Sequence, residues 1–182
     1  MPRFRRREKE KENREMALTK QELIGSLQNE VRILLHLAGK IDRNKLDYRP
    51  TAKQRSTIEL MRYLSIMGPG LVGAIKTGNF DGAAWGAAVA AADAKNFDQI
   101  LADIGKEADL YAAELGAMSE ADFAGQIDMF GNKGSRGFWI VALVLSGHAA
   151  YRTQLFMYLK ACGREELNTL NLWQGVDGQM QM

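Results

Sequence analysis

This 182-residue chain has few of the residues on which metal and redox chemistry depend. It contains one cysteine, so an internal disulfide is excluded, and only two histidines, fewer than a three-histidine metal site needs. The motifs Cys-x-x-Cys, His-Glu-x-x-His and Glu-x-x-His are absent, as is a glycine-rich phosphate-binding loop. We therefore expect no metal cofactor, with a recruited Zn²⁺ or Ni²⁺ as the alternative. Cys162 lies near a helix end and is expected to pack as a small hydrophobic residue.

The chain also lacks a surplus of one charge and a long apolar run. Its net charge is +2, and residues 3–15 carry seven basic and four acidic side chains, a surplus of three that leaves about −1 for the rest. The folded part is therefore not basic, and we expect no nucleic-acid partner. The longest strongly apolar run, residues 138–145, is too short to cross a bilayer. No apolar region follows the N-terminal arginines, so these residues are not a signal peptide. We therefore expect a cytoplasmic protein without a membrane partner.

Residues 1–16 form a charge-dense segment that we expect to be disordered, and Met16 is a candidate start of the protein. The remainder, 17–182, has the length and the apolar content of one domain. Thr19 and Ser56 each begin a capping box, which predicts helices at about 19–40 and from residue 56 onward.

Two further long helices are predicted at 96–118 and 135–163, which gives an all-α, antiparallel four-helix bundle with one long crossover. Pro69, between two glycines, is expected to break or kink the second helix. The stretch 77–94 is rich in glycine and alanine, with helix plausible near its middle. Residues 123–134 are predicted to be a loop and 168–182 a loosely packed tail, and no strand pattern is present.

The most informative stretch is the last helix, which is apolar in its first half and then carries four polar residues on consecutive turns. These residues are His148, Tyr151, Arg152 and Gln154. A buried polar cluster on an apolar helix is costly unless its groups are hydrogen-bonded, so the cluster is either a functional site or the remnant of one.

Two segments together resemble the DinB/YfiT-like superfamily. LDYRPTAKQRSTIELMRYLS, residues 46–65, is similar to that family's second-helix signature, in which an Arg-Pro turn precedes a Ser-capped helix ending in His-Leu. HAAYRTQLFMYLK, residues 148–160, resembles its last-helix signature, usually a histidine pair around His-Arg-Gly-Gln. The resemblance implies a four-helix bundle, often dimeric, in which three histidines commonly hold one divalent metal. Some members are thiol-dependent transferases or metal-dependent hydrolases.

The chain departs from that signature at each metal-ligand position. Tyr63 stands where the second helix has histidine, and Tyr151 and Gly147 fall on the two last-helix positions. His148 is one residue out of register, a rotation of about 100° on a helix, so it should point elsewhere unless a helix bulge restores it. The sequence thus predicts that the histidine triad is not retained.

Three functional hypotheses remain. The first, which we favour, is a metal-free dimeric bundle that acts in small-ligand binding or assembly. Tyr63, His148 and Tyr151 then form a neutral hydrogen-bonded network or line a pocket, with Arg152 either binding a ligand carboxylate or phosphate or only tying the helix to a neighbouring segment. The second is a divergent transferase or hydrolase that uses His148 or Tyr151 as acid or base. The third is a partner-binding module that acts through the basic tail.

Overall fold

The computed structural model describes residues 18–179, and in it four long helices surround one apolar core. This confirms the predicted all-α four-helix bundle. The predicted tail, residues 1–16, lies outside the described residues. In chain order the elements are α1 (Lys20–Ala38), a 3₁₀ turn (Arg43–Lys45), α2 (Thr57–Thr77), α3 (Gly82–Asp93), α4 (Phe97–Gly116), α5 (Glu120–Ala124), β1 (Gln126–Met129), β2 (Asn132–Ser135), α6 (Arg136–Trp139), a π-helical segment (Ile140–Leu145), α7 (Ser146–Ala161) and α8 (Thr169–Gln174).

The first and third long helices, α1 and α4, are antiparallel neighbours. Lys20, at the start of α1, donates to the carbonyl of Met118 just beyond α4, and Arg43, beyond the end of α1, pairs with Asp98 at the start of α4. Both helices begin where the sequence predicts, because side-chain caps satisfy their first backbone N–H groups.

The second and third long helices, α2 and α4, are parallel, as one long crossover requires. Arg62 near the start of α2 donates to the carbonyl of Lys95 just before α4, and Lys76 near the end of α2 pairs with Glu114 near the end of α4. The crossover contains α3, which packs against α2 on the outside of the bundle.

Helix α2 continues through Pro69, so of the two outcomes predicted there, a break or a kink, the break is wrong. Proline has no N–H to donate to the Ser65 carbonyl, and the helix continues because residues on both sides of Pro69 are held in the core. Met67 and Val72 are each 1% exposed. Within residues 18–179, α2 is the one helix long and apolar enough to cross a membrane, with a mean hydropathy of 1.2, and half of that stretch is buried inside the bundle.

A β-hairpin replaces the predicted loop at 123–134. Strands β1 and β2 pair antiparallel, with Met129 opposite Asn132. The two turn residues, Phe130 and Gly131, have φ angles of 57° and 81°, the pair of positive values that a two-residue hairpin turn favours. Strands of four residues alternate too briefly to produce a clear sequence pattern.

The last long helix consists of α6, the π-helical segment and α7. Ser135 caps its start and Gly163, with φ of 94°, follows its end, as predicted. The π segment widens it, and the backbone N–H of Ser146, just after that segment, donates to the Val141 carbonyl five residues earlier, as does the Ser146 hydroxyl. A π segment changes the faces on which later residues lie, which decides where the polar cluster points.

The C-terminal residues are packed against α1, so the prediction of a loosely packed tail is wrong for the part that the structure describes. Asn171 is 2% exposed and donates to Asp177. Arg32 donates to two carbonyls at the end of α8, and Lys40 pairs with Asp177. These contacts are polar, and apolar periodicity gives no sign of them.

Candidate functional site

Tyr63 on α2 and Tyr151 on α7 face each other. Their ring centres are 4.9 Å apart, with the ring planes at 64°. One turn away, Gly147 lies against Met67, since a Cβ atom at Gly147 would be 2.9 Å from the Met67 Sδ. Four residues separate the partners on each helix, so the same faces of α2 and α7 meet along both turns.

Two further side chains contact the Tyr63 ring. The guanidinium carbon of Arg55 lies 4.1 Å from its centre, and the Trp85 ring on α3 is 6.1 Å away. The Arg55 carbonyl accepts a hydrogen bond of 2.9 Å from the Tyr158 hydroxyl, which fixes the backbone just before α2. We call the group formed by Tyr63, Tyr151 and Arg55 the tyrosine cleft.

The tyrosine cleft combines the positive charge of Arg55 with two phenol hydroxyls. Burial, together with the neighbouring Tyr151 phenol, raises the pKa of Tyr63 to about 12, against the opposing effect of Arg55. The Tyr63 hydroxyl is therefore a hydrogen-bond donor at neutral pH. Arg55 is exposed, and its guanidinium has no hydrogen-bond or ion-pair partner within residues 18–179. An anion can accept hydrogen bonds from both the Arg55 guanidinium and the Tyr63 hydroxyl.

His148 does not join the two tyrosines. Its Nε2 atom lies 2.6 Å from the hydroxyl oxygen of Tyr111 and 3.4 Å from Oε2 of Glu107, both on α4. The Tyr111 hydroxyl donates to the same Glu107 oxygen at 2.9 Å. We call Glu107, Tyr111 and His148 the buried triad, because none is more than 1% exposed. The expected network of His148 with the tyrosines is thus replaced by a separate cluster in the core.

The buried triad fits in the core because Gly68 on α2 has no side chain. A Cβ atom at Gly68 would lie only 1.7 Å from the Tyr111 hydroxyl, so the hydroxyl occupies space that another residue would fill. Burial raises the pKa of Glu107, opposed by its contacts with His148 and Tyr111, and burial raises the pKa of Tyr111 as well. Glu107 Oε1 and His148 Nδ1 are buried without a hydrogen-bond partner in the described structure.

Arg152 also lies away from the tyrosine cleft. Its Nε donates to Glu30 on α1 at 2.7 Å, and its guanidinium also donates to the Leu172 carbonyl and lies 5.7 Å from the Trp173 ring. Arg152 is 4% exposed, and Glu30 balances its charge. Of the two roles open to it, the geometry fits the tie between helices. Gln154 donates within α7 itself.

Comparison with known proteins identifies a solved structure with a similar fold. No family model and no curated protein matches the chain. The structure is similar to the crystal structure of a DinB-like protein, YjoA, from Bacillus subtilis, with a TM-score of 0.62 and 20% sequence identity, over 81% of this chain and 95% of that one. The chain has the DinB-like fold.

The residues at the metal-ligand positions that the sequence resemblance implies do not fit a divalent metal. Those positions carry Tyr63, Gly147 and Tyr151, which supply two neutral phenols and no imidazole. Among residues 18–179, no group of three His, Cys, Asp or Glu side chains lies close enough together to hold a metal ion. His148 has one carboxylate nearby, that of Glu107, and these two side chains are fewer than the three protein ligands that a stable site needs.

Sequence reasoning missed Arg55, Glu107 and Tyr111. A signal for Glu107 was present, because it falls on the apolar stripe of α4 between Ile104 and Tyr111, where a carboxylate is unexpected. Arg55 gives no such signal, because it lies in the loop before α2 and only the folded chain shows its contact with Tyr63.

Proposed function

We propose that this protein binds a small anionic ligand in the tyrosine cleft, without a metal, and that binding rather than catalysis is its role. The observation that carries the proposal is the position of Arg55, 4.1 Å from the centre of the Tyr63 ring and close to the contact between Tyr63 and Tyr151. A carboxylate or phosphate fits this arrangement, because guanidinium and phenol groups donate hydrogen bonds to anions.

The two arginines near the polar cluster differ in what they offer a ligand. Arg152 is buried and its charge is balanced by Glu30, so a ligand would have to break an ion pair to use it. Arg55 is exposed, and its guanidinium carbon lies over the Tyr63 ring at 4.1 Å from the ring centre, so its N–H groups need not leave an ion pair to bind a ligand. This is why we assign to Arg55 the ligand-binding role, which was one of the two roles that the sequence left open for Arg152.

The rest of the proposal extends the sequence predictions. We propose that the histidine triad of the resembling family is not retained, and that the protein is a homodimer. Sedimentation velocity of the full chain measures the second point, and the monomer mass would contradict it. Cytoplasmic location and the absence of membrane and nucleic-acid partners stay predictions.

The alternative function, a divergent transferase or hydrolase, is less well supported by the geometry. A general acid or base must reach the reacting group directly or through one water. His148 is 1% exposed and already contacts Tyr111 and Glu107. Tyr151 is half-buried, and its ring packs against Tyr63 at 4.9 Å between centres.

Titration with phenyl phosphate and benzoate tests the proposal. Trp85 lies beside Tyr63, so binding should shift its indole N–H signal in NMR spectra, identified with Trp85→Phe. Arg55→Gln should weaken binding about tenfold or more, because a charged hydrogen-bond partner contributes roughly 1.5–3 kcal/mol. Lys53→Gln removes the same charge two residues away and is the matched control.

Two results would contradict the proposal. One is that neither anion binds the wild-type protein. The other is that Arg55→Gln and Lys53→Gln weaken binding equally, which would mean that the anions respond to net charge rather than to the tyrosine cleft.

A further inference from the structure

A groove of about 310 Å³ lies between α2 and α3. Its size is at the lower end of the range for small-molecule sites, roughly 300–1,000 Å³. The groove exists partly because Gly70 has no side chain: a Cβ atom there would lie 2.8 Å from the Trp85 ring. Most of its lining residues are small or apolar. They are Pro69, Gly70, Gly73, Ala74, Thr77, Asn79, Phe80, Asp81, Ala84, Trp85 and Ala88.

Three aromatic rings follow one another at this groove. The ring centres of Trp85 and Phe80 are 5.6 Å apart with planes tilted by 46°, and those of Phe80 and Phe130 are 5.8 Å apart with planes tilted by 53°. Phe80 is 36% exposed and Phe130, at the tip of the hairpin, is 64% exposed. Tilted aromatic faces attract cations through their quadrupoles.

Asp81 is the one charged side chain among the eleven that line the groove. Its Oδ1 atom caps α3 by accepting from the N–H groups of Ala83 and Ala84, at 2.9 and 3.0 Å. Its Oδ2 atom accepts no hydrogen bond from residues 18–179. The groove therefore has a negative end and one carboxylate oxygen available to a ligand.

We propose that this groove binds the alkylated ammonium group of a small organic cation. A quaternary ammonium group donates no hydrogen bonds and is held by aromatic faces and a nearby negative charge. Trp85, Phe80 and Asp81 supply these two features, and the apolar lining fits the methyl groups. The groove shares the Trp85 ring with the tyrosine cleft, but its charged group is Asp81 rather than Arg55, and the proposal does not depend on an anion binding in the cleft.

The position of Phe130 supports a ligand at this place. Its ring centre lies 5.8 Å from that of Phe80, and the ring is mostly exposed to water. Adjoining exposed aromatic rings on a soluble surface mark interaction sites, because a ligand that covers them removes apolar area from water.

Choline and 3,3-dimethyl-1-butanol, which have the same shape and differ in charge, provide the test. Choline should shift the Trp85 indole signal and bind at least about fivefold more tightly than the neutral alcohol. Asp81→Asn should weaken choline binding about threefold to fivefold and leave the fold intact, because asparagine also caps helices well. Asp93→Asn, at the other end of α3, removes the same charge outside the groove and should have no effect.

Trp85→Leu should abolish choline binding while circular dichroism reports whether the bundle is retained. Equal binding of the alcohol would overturn the proposal, since it would mean a merely apolar groove. Equal weakening by Asp81→Asn and Asp93→Asn, or no shift with choline at all, would overturn it too. Because phenyl phosphate reports on the tyrosine cleft, its binding should not change in Asp81→Asn, so the two sites can fail separately.

Discussion

The last long helix carries two polar clusters that differ in every physical respect although they begin three residues apart. His148 points into the core and completes the buried triad, whose members are at most 1% exposed. Tyr151 contributes to the tyrosine cleft, which is half-buried and includes the exposed Arg55. The first cluster contains a carboxyl group buried in the core, and the second contains phenol groups beside an exposed cation.

The difference follows from which helix covers each face. Residues three apart on a helix are separated by about 60°, so His148 and Tyr151 lie on adjoining faces. The face of His148 packs against α4, a long helix of the bundle. The face of Tyr151 meets α2 at its edge, where only the short helix α3 lies outside. Burial, rather than residue type, thus separates a structural cluster from one that a ligand can reach.

The largest expected effect is on the buried triad. Gly68→Ala places a Cβ atom where the Tyr111 hydroxyl lies, and Tyr111, 0% exposed, has no room to move. Overpacking and loss of a buried hydrogen bond together should lower the free energy of unfolding by about 3 kcal/mol or more, measured by urea denaturation. Gly105→Ala on α4, where a Cβ atom meets nothing within 4 Å, should instead be neutral or stabilising. Equal effects at both glycines would contradict the close approach.

The fold could be predicted because its signals are local. The capping boxes at Thr19 and Ser56 and the apolar periodicity of the long helices survive in the structure, and so does the end at Gly163. The errors came where tertiary contacts decide the outcome. Pro69 stays helical because its neighbours are buried on both sides, and α8 is held by polar contacts that have no periodic pattern.

The candidate site was predicted less well, for a geometric reason. The resemblance to the DinB/YfiT-like superfamily implied that Tyr63 and Tyr151 could face each other, and the structure brings them together. The sequence could not show that a π segment precedes His148 or that His148 contacts Glu107. Positions on one helix follow from sequence, whereas the partner helix of each face follows only from packing.

The next largest effect should be a gain in metal binding when histidines are introduced at the three metal-ligand positions that the resemblance implies. The triple variant Tyr63→His, Gly147→His, Tyr151→His places three imidazoles on the faces of α2 and α7 that meet. The histidine at Gly147 displaces only the flexible end of Met67. Zn²⁺ or Ni²⁺ at about 100 times Kd should then stabilise the variant by roughly 2.7 kcal/mol, measured by thermal denaturation with and without chelator. The wild-type protein is the control, and no gain in affinity would show that these three positions do not converge.

A smaller effect should follow from the pH dependence of the buried triad. Burial raises the pKa of Glu107 above the 4.5 of an exposed glutamate. Below pH 4.5 the Glu107 carboxyl is protonated in both the folded and the unfolded chain, so its ionisation does not lower the free energy of unfolding. As pH rises, the unfolded chain loses the proton first, so stability falls until the folded pKa is passed. Each unit of difference removes about 1.4 kcal/mol.

Glu107→Gln should remove this loss, so its stability relative to wild type should rise between pH 4 and 7 in urea denaturation. Other carboxyl groups contribute equally to both proteins and cancel in the comparison. Glu114→Gln, on the same helix but with a side chain 43% exposed, controls for the loss of a charge. A difference that does not change with pH would mean that the environment of Glu107 leaves its ionisation unaffected.

The smallest effect is expected for Tyr63→Phe, which is compared with the same change at Tyr111 in the buried triad. Tyr63→Phe removes a hydroxyl from the half-buried cleft, and the free energy of unfolding should change by about 0.5 kcal/mol or less, since water reaches the groups left behind. Tyr111→Phe removes a hydroxyl that lies between Glu107 and His148 and should cost about 1–3 kcal/mol, because both groups lose a partner inside the core. Urea denaturation of both variants at pH 7 measures the difference directly. If Tyr63→Phe proved as costly as Tyr111→Phe, the tyrosine cleft would be a second structural cluster, closed to ligands, and Arg55 would serve to cover it.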